Sequence, residues 1–370
     1  MPVLCLPRRL PVSFRPYPGE ALSSWMARSA RVYSLDLAGL LTSYRGFDSA
    51  TIETLDASPD FQTLQLLSTL TGVDVPEIAR CTLAGNHPAW LPRWTTWQHA
   101  DWEITERRTL LPHRLSVNVC PTCLREDDRE GREQYLRLRW FCAAMTLCDR
   151  HRVPLVARCS MATCLLSLRS RTSGTAHRLY CANCSTFLDG SGNGLSTPVS
   201  EAAARQQLNR FEQRLCAAIS VGHFHPAPSN CLHRLRSEYL TIVVEDLIWA
   251  LTRLTPSGNH RAIHFLETLQ YPVPPGFRLP FDTPHWLSRT TVYVRRALLA
   301  TVAMMLRPDQ EAVVLRTDTF CSDAFERLQS LLTPSDHQQL LIRASNWPPH
   351  FRFLFRGAKG PQPRILLFRE

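Results

Sequence analysis

The chain holds a single lysine, Lys359, so arginine carries nearly all of its positive charge. It also lacks a long apolar run: the longest, Ala297–Leu306, is far shorter than the roughly 18 residues that cross a bilayer. No apolar segment follows the charged N-terminal residues, as it would in a secretory signal. We therefore expect a soluble, cytoplasmic protein that is neither secreted nor embedded in a membrane.

Common catalytic motifs are missing as well. The sequence contains no phosphate-binding glycine loop, no nucleophile elbow and no His-Glu-x-x-His motif. No set of acidic residues stands out as a nuclease triad, and the histidines away from the cysteine-rich segment are isolated. We therefore expect that the protein is not an enzyme.

The positive charge is unevenly distributed. The net charge is +10, and residues 134–188 contain eight arginines but one acidic residue, Asp149. Such a segment favours a polyanionic partner, because a guanidinium binds phosphate in a bidentate manner. A solvated face, or compensation for metal-bound thiolates, is an equally good explanation. The candidate nucleic-acid-binding residues are Arg80, Arg137, Arg139, Arg169 and Arg171.

Four pairs of cysteine or histidine residues lie between residues 120 and 184. A spacing of two residues lets one tight turn present both donors to one tetrahedral ion, and two pairs complete its coordination. Because disulfides are rare in a reducing cytoplasm, metal binding is the favoured interpretation of these pairs. The eight candidate metal ligands are Cys120, Cys123, Cys148, His151, Cys159, Cys164, Cys181 and Cys184.

The four pairs predict two structural zinc ions. In sequential pairing, the two pairs between residues 120 and 151 bind one ion and those between 159 and 184 bind the other; interleaved pairing stays open. Seven of the eight donors are cysteines, and closed thiolate ligation leaves no position for an activated water. A thiol redox role is the alternative, but the Cys-x-x-Cys pairs lack the strand-then-helix setting that such a role requires.

The periodicity predicts a mainly α protein with three domains. Residues 1–112 form an N-terminal helical domain with a helix-turn-helix, and residues 113–190 form a double zinc-finger module of the zinc-ribbon type. Residues 200–370 form a helical C-terminal domain, after a linker rich in glycine and serine. No alternation of strands with helices is present, which argues against a parallel sheet.

The helix-turn-helix prediction depends on residues 61–83. An apolar stripe from Phe61 to Leu70 is followed by Gly72, which readily adopts a positive φ, and by Asp74, which is positioned to cap a second helix. A plain helical hairpin has the same pattern. The helices expected in the C-terminal domain are Glu201–Ser220, Glu238–Leu254, His260–Gln270, Pro284–Leu306, Ser322–Leu332 and Ser335–Ala344.

Four stretches of the sequence carry a family resemblance. The first is a proline–glycine–glutamate step, Pro18 to Glu20, into a helix that contains Ser24-Trp25; it predicts Glu20 in the first helical turn, where the helix dipole favours an acid. The others are residues 111–127 with the first cysteine pair, residues 135–155 with the second pair, and the Asn-Trp-Pro motif that begins at Asn346. With these motifs the chain resembles the TniQ/TnsD family of transposition proteins, in a short form.

The resemblance implies target selection for a mobile element, without a catalytic step. Members of the family recognise a target, either directly on DNA or by docking on an RNA-guided Cascade complex. They then recruit an AAA+ transposition ATPase of the TnsC/TniB type, which brings in the transposase. The family architecture consists of a helix-turn-helix, a double zinc module and a helical C-terminal domain, and some members form homodimers.

The alternative to this adaptor role is a stand-alone, zinc-dependent regulator that binds a specific DNA sequence. Such a protein would read base edges in one duplex site with a defined half-site geometry. The neighbouring genes would separate the two hypotheses, because an adjacent transposase and ATPase support the adaptor.

Overall fold

A computed structural model describes a mainly helical protein. The described residues are 9–44, 47, 54–91, 94–95, 118–157, 170–171, 178–181, 184–189, 202–221, 237–253, 261, 263, 292–306 and 328–347. The chain divides into two compact units, Met1–Cys216 with Asp282–Arg295 and Ala217–Phe281 with Arg296–Glu370. Among the described helices, none has the length and apolar character that a membrane span requires.

The N-terminal part of the first unit consists of short helices around an apolar core. One face of the first helix, formed by Leu22, Trp25, Met26 and Ala30, is fully buried in this core. The helices are α1 (Leu22–Arg31), α2 (Leu37–Thr42), α3 (Phe61–Thr71), α4 (Val75–Ala79) and α5 (Leu83–Asn86), followed by a single 3-10 turn, Pro88–Trp90.

Helices α3 and α4 have the predicted helix, turn and short helix. Asp60 caps α3 by accepting a hydrogen bond from the Thr63 amide at 2.7 Å. Gly72 ends α3 with a left-handed φ of 72°, as expected. Asp74 lies at the N-cap of α4, but its side chain makes no capping hydrogen bond there. Helix α4 has only five residues, little more than one turn, so it offers a short surface for insertion into a DNA groove.

Glu20 lies one residue before the N-cap of α1 and is completely buried, so it does not act as a first-turn acid in the helix dipole. Its carboxylate accepts two hydrogen bonds from the Arg28 guanidinium, at 2.9 and 2.7 Å. Arg28 in turn reaches Glu133 at 3.2 Å and lies over the ring of Tyr17. The proline–glycine–glutamate step thus provides a buried anion that links α1 to the cysteine-rich region.

The described residues of the cysteine-rich region form one helix and short extended pieces. Helix α6 covers Pro121–Arg129, a 3-10 turn covers Leu138–Phe141, and strands β1 (Ser170–Arg171) and β2 (Tyr180–Cys181) pair in antiparallel fashion with Ser170 opposite Cys181. Backbone hydrogen bonds join this region to the start of α1: the Ala21 amide donates to Leu136 O, and the Leu138 amide donates to Gly19 O, both at 2.9 Å. The domain boundary at residue 112 stays a prediction.

Four longer helices follow in the part of the chain that the structure describes. They are α7 (Ala202–Val221), α8 (Ser237–Thr252), α9 (Val292–Leu306) and α10 (Pro334–Ala344). Each overlaps a predicted helix, whereas most of the predicted helix His260–Gln270 lies outside the described residues. In the second unit, Trp347 of the Asn-Trp-Pro motif is buried and donates from its indole nitrogen to Asp246 on α8 at 2.8 Å.

Candidate metal centre

The first two cysteine/histidine pairs converge on one point. Cys120 is the N-cap of α6, where its sulfur accepts a hydrogen bond from the Cys123 amide at 3.4 Å. Pro121 fits the first helical position because that position needs no amide donor. The helix start therefore places the sulfurs of Cys120 and Cys123 side by side, and both cysteines are buried.

The second pair lies in a tight hairpin between Leu147 and Pro154, which form an antiparallel bridge. The Cys148 amide donates to Val153 O at 2.8 Å, and the Arg152 amide donates back to Cys148 O at 2.7 Å. Arg152 closes the turn with a φ of 56°, a left-handed conformation that is uncommon outside glycine. This turn brings Cys148 and His151 to the same side as the first pair.

The distances among the four donor atoms fit a single tetrahedral ion. The His151 Nδ1 atom lies 3.5, 3.2 and 3.7 Å from the sulfurs of Cys120, Cys123 and Cys148. The sulfurs of Cys123 and Cys148 are 3.6 Å apart, and all four donors lie within 4.8 Å of one another. Around zinc, with bonds of about 2.0–2.3 Å, a tetrahedral angle gives separations of about 3.5–3.8 Å. The four residues are therefore suited to hold one metal ion.

Glu126 orients the histidine ligand. Its carboxylate lies 2.8 Å from His151 Nε2, the ring nitrogen that faces away from the sulfurs. A carboxylate in this position favours the tautomer with a proton on Nε2 and leaves Nδ1 free to bind metal. Arg150 balances the charge of Glu126 at 3.0 Å. Sequence reasoning did not identify Glu126, although its position three residues after Cys123 on a helix places both on one face.

The pKa values of the three buried thiols are shifted in opposite directions. Hydrogen bonds from the thiols of Cys120 and Cys123 lower the pKa of Cys148 to about 2. For Cys123 the effect is opposite: its hydrogen bonds with Cys120 and Cys148 raise its pKa far above the usual value. Without a balancing positive charge, only one of these buried thiols ionises readily. A divalent cation would allow all three to bind as thiolates.

The second predicted site is described in part. Cys159 and Cys164 lie outside the described residues, whereas Cys181 is buried and Cys184 is half-buried. The backbone around Cys181 repeats that of the first hairpin: the Cys181 amide donates to Thr186 O at 2.8 Å, and the Ser185 amide donates to Cys181 O at 2.9 Å. Ser185 has a φ of 58°, matching Arg152 at the equivalent position. Two ligand pairs thus share one backbone geometry.

The candidate nucleic-acid residues differ in their surroundings. Arg80 is exposed beside the end of α4. The Arg137 side chain is only 15% exposed; it pairs with both carboxylate oxygens of Asp127, at 2.9 and 3.0 Å, and stacks on aromatic rings. Arg139 is about half exposed and pairs with Asp149. Arg171 lies in β1, and Arg169 lies outside the described residues.

The comparison with protein families supports the sequence resemblance. Residues 11–155 match the model of the TniQ family, a range that includes α1 to α6 and the four converging donors. No curated protein matches the chain. The likeness to the TniQ family of transposition proteins therefore rests on residues 11–155, less than half of the chain.

Proposed function

We propose that this protein is a non-catalytic target-selection adaptor for DNA transposition. The TniQ match over residues 11–155 is the observation that carries the proposal. The closed donor set supports it, because three cysteines and a histidine fill a tetrahedral ion and leave no position for a reactive water. In this role the protein performs no chemical step: it recognises a target in the cytoplasm and passes it to an AAA+ transposition ATPase and its transposase.

The metal's part in this function is structural. A bound Zn²⁺ would contribute on the order of 10 kcal/mol to the folding of its module. Cys120, Cys123, Cys148 and His151 would hold it, and Glu126 would orient the histidine. The module would then be a rigid scaffold that holds the N-terminal helices at one side through the Glu20–Arg28–Glu133 ion pairs.

We further propose a second structural zinc ion bound by Cys159, Cys164, Cys181 and Cys184. The support is the repeated hairpin geometry, which presents Cys181 and Cys184 in the way that Cys148 and His151 are presented. Elemental analysis of the purified protein should give two zinc ions per chain, and Cys184→Ser should reduce this to one. A value of one in the unaltered protein would rule out the second ion.

The target is proposed to be either a DNA site or a Cascade complex with its guide RNA. In both cases exposed arginines such as Arg80 and Arg139 would contact phosphates, which positions the complex without reading bases. Arg137 is less suited to this contact, because its guanidinium is already paired with Asp127 and packed between rings. Arg139→Ala should therefore weaken nucleic-acid binding more than Arg137→Ala among variants that remain folded.

The adaptor role is tested by binding of the protein to an AAA+ transposition ATPase, the partner that this role requires. Affinity capture with and without target DNA or Cascade should retain the ATPase. Catalytic assays of the ATPase and transposase should show more insertion at the target when this protein is present. Tight binding to one duplex sequence, with no ATPase retained under any of these conditions, would instead support the stand-alone DNA-binding regulator.

A further inference from the structure

Helix α7 contributes a buried carboxylate, that of Glu212, to the hairpin that carries Cys148 and His151. This hairpin is called the metal hairpin below. Glu212 is only 2% exposed, although it lies far along the chain from the hairpin and beyond the family match, which ends at residue 155. One carboxylate oxygen accepts hydrogen bonds from the amides of Thr146 and Leu147, both at 3.0 Å. The other accepts a hydrogen bond from the Thr146 hydroxyl. Glu212, Thr146 and Leu147 are all buried.

The residues that Glu212 holds lead directly into the ligands. Leu147 precedes the metal ligand Cys148 and pairs with Pro154 across the hairpin. On the opposite strand, the Leu155 amide donates to Thr146 O at 2.9 Å, so Thr146 and Leu147 form one strand of the hairpin. The amides of both residues donate to Glu212, and a buried amide without an acceptor costs about 1–3 kcal/mol. Glu212 removes this cost for both amides.

The same face of α7 makes a second contact with this region. Cys216 follows Glu212 by one helical turn, and its sulfur lies 3.7 Å from that of Cys142. The neighbouring Cys142 thiol and burial raise the pKa of Cys216 well above its usual value, so the Cys216 thiol stays protonated and packs as a small apolar side chain. Phe211 and Leu215 on this face are also buried. Helix α7 therefore packs against residues 142–147 with Glu212 at the centre of its polar contacts.

We propose that Glu212 is a positioning residue for the Cys120, Cys123, Cys148 and His151 metal site. By fixing the backbone of Thr146 and Leu147, it sets the position of Cys148 relative to the start of α6. The inference rests on metal binding by these four residues. Residues that hold metal ligands in place change metal affinity by about 10–100-fold when they are replaced. Because linkage is reciprocal, metal binding must stabilise the packing of α7 to the same degree.

The test compares three variants of the full-length protein. Glu212→Leu removes every acceptor, Glu212→Gln keeps one oxygen for the two amides, and Gln213→Leu is the matched control on the exposed side of the same helix. Cobalt(II) added to metal-free protein reports site geometry by its absorption, and competition with a chelator gives the affinity. We expect Glu212→Leu to bind cobalt at least tenfold more weakly, with Glu212→Gln intermediate and Gln213→Leu equal to the unaltered protein.

A second measurement uses the unaltered protein and does not depend on the folding of a variant. Amide hydrogen exchange is followed at residues 146–147 and 208–216 with and without zinc. We expect metal removal to increase exchange in both segments. Unchanged exchange in residues 208–216, or full cobalt affinity in Glu212→Leu, would overturn the proposal. Neither result depends on binding to the ATPase, so a failed capture experiment would leave this inference standing.

Discussion

Glu126 shows how one side chain outside the ligand set can control a metal site. Its carboxylate lies 2.8 Å from Nε2 of His151, and this arrangement favours the ring orientation in which Nδ1 faces the three cysteines. Arg150 balances the charge of the Glu126 carboxylate, which remains suited to accept a hydrogen bond from the imidazole N–H. The role of Glu126 is therefore distinct from that of the ligands and can be tested separately.

Glu126→Gln should weaken metal binding without removing a ligand. An amide side chain has the same shape, but it accepts the imidazole proton less strongly and can present its NH₂ group instead. We expect a loss of about 10-fold in zinc affinity, the usual effect of replacing a residue that is hydrogen-bonded to a metal ligand. Chelator competition measures this, and Arg125→Gln on the same helix is the control. Affinity equal to that of the unaltered protein would mean that Glu126 does not orient His151.

The protonation of the ligands predicts that metal is released in acid. Thiolates and a neutral imidazole bind the ion, so each proton that adds to a ligand competes with the metal. Metal affinity should fall steadily as the pH is lowered from 7.5 to 5, and the release should be reversible on neutralisation. Equilibrium dialysis with zinc across this range measures the effect. An affinity that does not change with pH would contradict ligation by these residues.

At the scale of the element, the contact between α4 and α5 depends on the absence of a side chain. A Cβ atom at Gly85 would lie 2.1 Å from the backbone oxygen of Ala79, at the end of α4. In an isolated helix, replacing glycine by alanine is favourable by about 1 kcal/mol. Here the short helix α5 would have to move away from α4, so the sign of the effect should be reversed.

Gly85→Ala should therefore lower the free energy of unfolding by about 1–3 kcal/mol, the usual cost of overpacking. Gly131→Ala is the matched control: Gly131 has a φ of 66° but open space around it, so only backbone strain of about 1 kcal/mol applies. Urea denaturation of both variants gives the comparison. Stabilisation by Gly85→Ala would show that α5 adjusts without cost.

Helix α10 begins with a charged pair that predicts a pH dependence. Burial opposes ionisation of Asp336, but hydrogen bonds from Arg261 and Thr333 outweigh it and hold the pKa of Asp336 below its usual value. A group with a lowered pKa in the folded state stabilises the protein above its unfolded-state pKa of about 4. This stabilisation is lost as the pH falls through the folded-state value.

Asp336→Asn should therefore destabilise the protein at pH 7 and lose its effect in acid. The variant leaves the buried Arg261 without its carboxylate, which costs about 3 kcal/mol, at the lower end of the range for broken buried pairs. Hydrogen exchange of α10 amides at pH 7 and thermal melts at lower pH measure the difference. A gap between the two proteins that stays constant down to pH 3 would contradict the assignment.

The helices, the four donor residues and Glu20 show how much of the structure could be predicted from the sequence. Helix periodicity located α3, α7, α8 and α10, and the ligand spacing identified the four residues that converge at the metal centre. The buried carboxylate of Glu20 was instead assigned to the first turn of α1, because charge near a helix start usually serves the helix dipole. Its true partner, Arg28, is eight residues away, and periodicity does not show which polar residues pair in the core.

Glu212 illustrates the same limit over a longer distance. Its pattern in the sequence is that of any acidic residue on an amphipathic helix, and the expected position would be on the exposed face. It is buried because two amides of the metal hairpin need an acceptor, and that requirement becomes visible only when both segments are folded. Contacts between distant segments are set by geometry that local patterns do not contain.

At the scale of the whole molecule, metal removal should affect the two units differently. The four converging donors lie in the first unit, together with the Glu20–Arg28–Glu133 pairs and Glu212. The second unit holds its own buried contacts, including those of Asp246 with Arg343 and Trp347. We therefore expect chelation of zinc to lower the melting temperature of the first unit far more than that of the second.

Differential scanning calorimetry with and without a chelator measures this, and hydrogen exchange assigns each transition to a unit. Chelation should make residues 118–157 exchange rapidly while α8 and α10 remain protected. Equal loss of protection in α8 and α10 would show that the two units unfold as one.

The attachment of Trp347 to Asp246 has a practical consequence for shortening the chain. Asp246 is buried, and its carboxylate receives one hydrogen bond from Arg343 and one from the Trp347 indole. Progressive trimming from the C-terminus should be tolerated differently on the two sides of residue 347, because loss of the indole removes one of the two hydrogen bonds that the buried Asp246 carboxylate receives. Protease-resistant fragments of this protein should accordingly retain the tryptophan of the Asn-Trp-Pro motif.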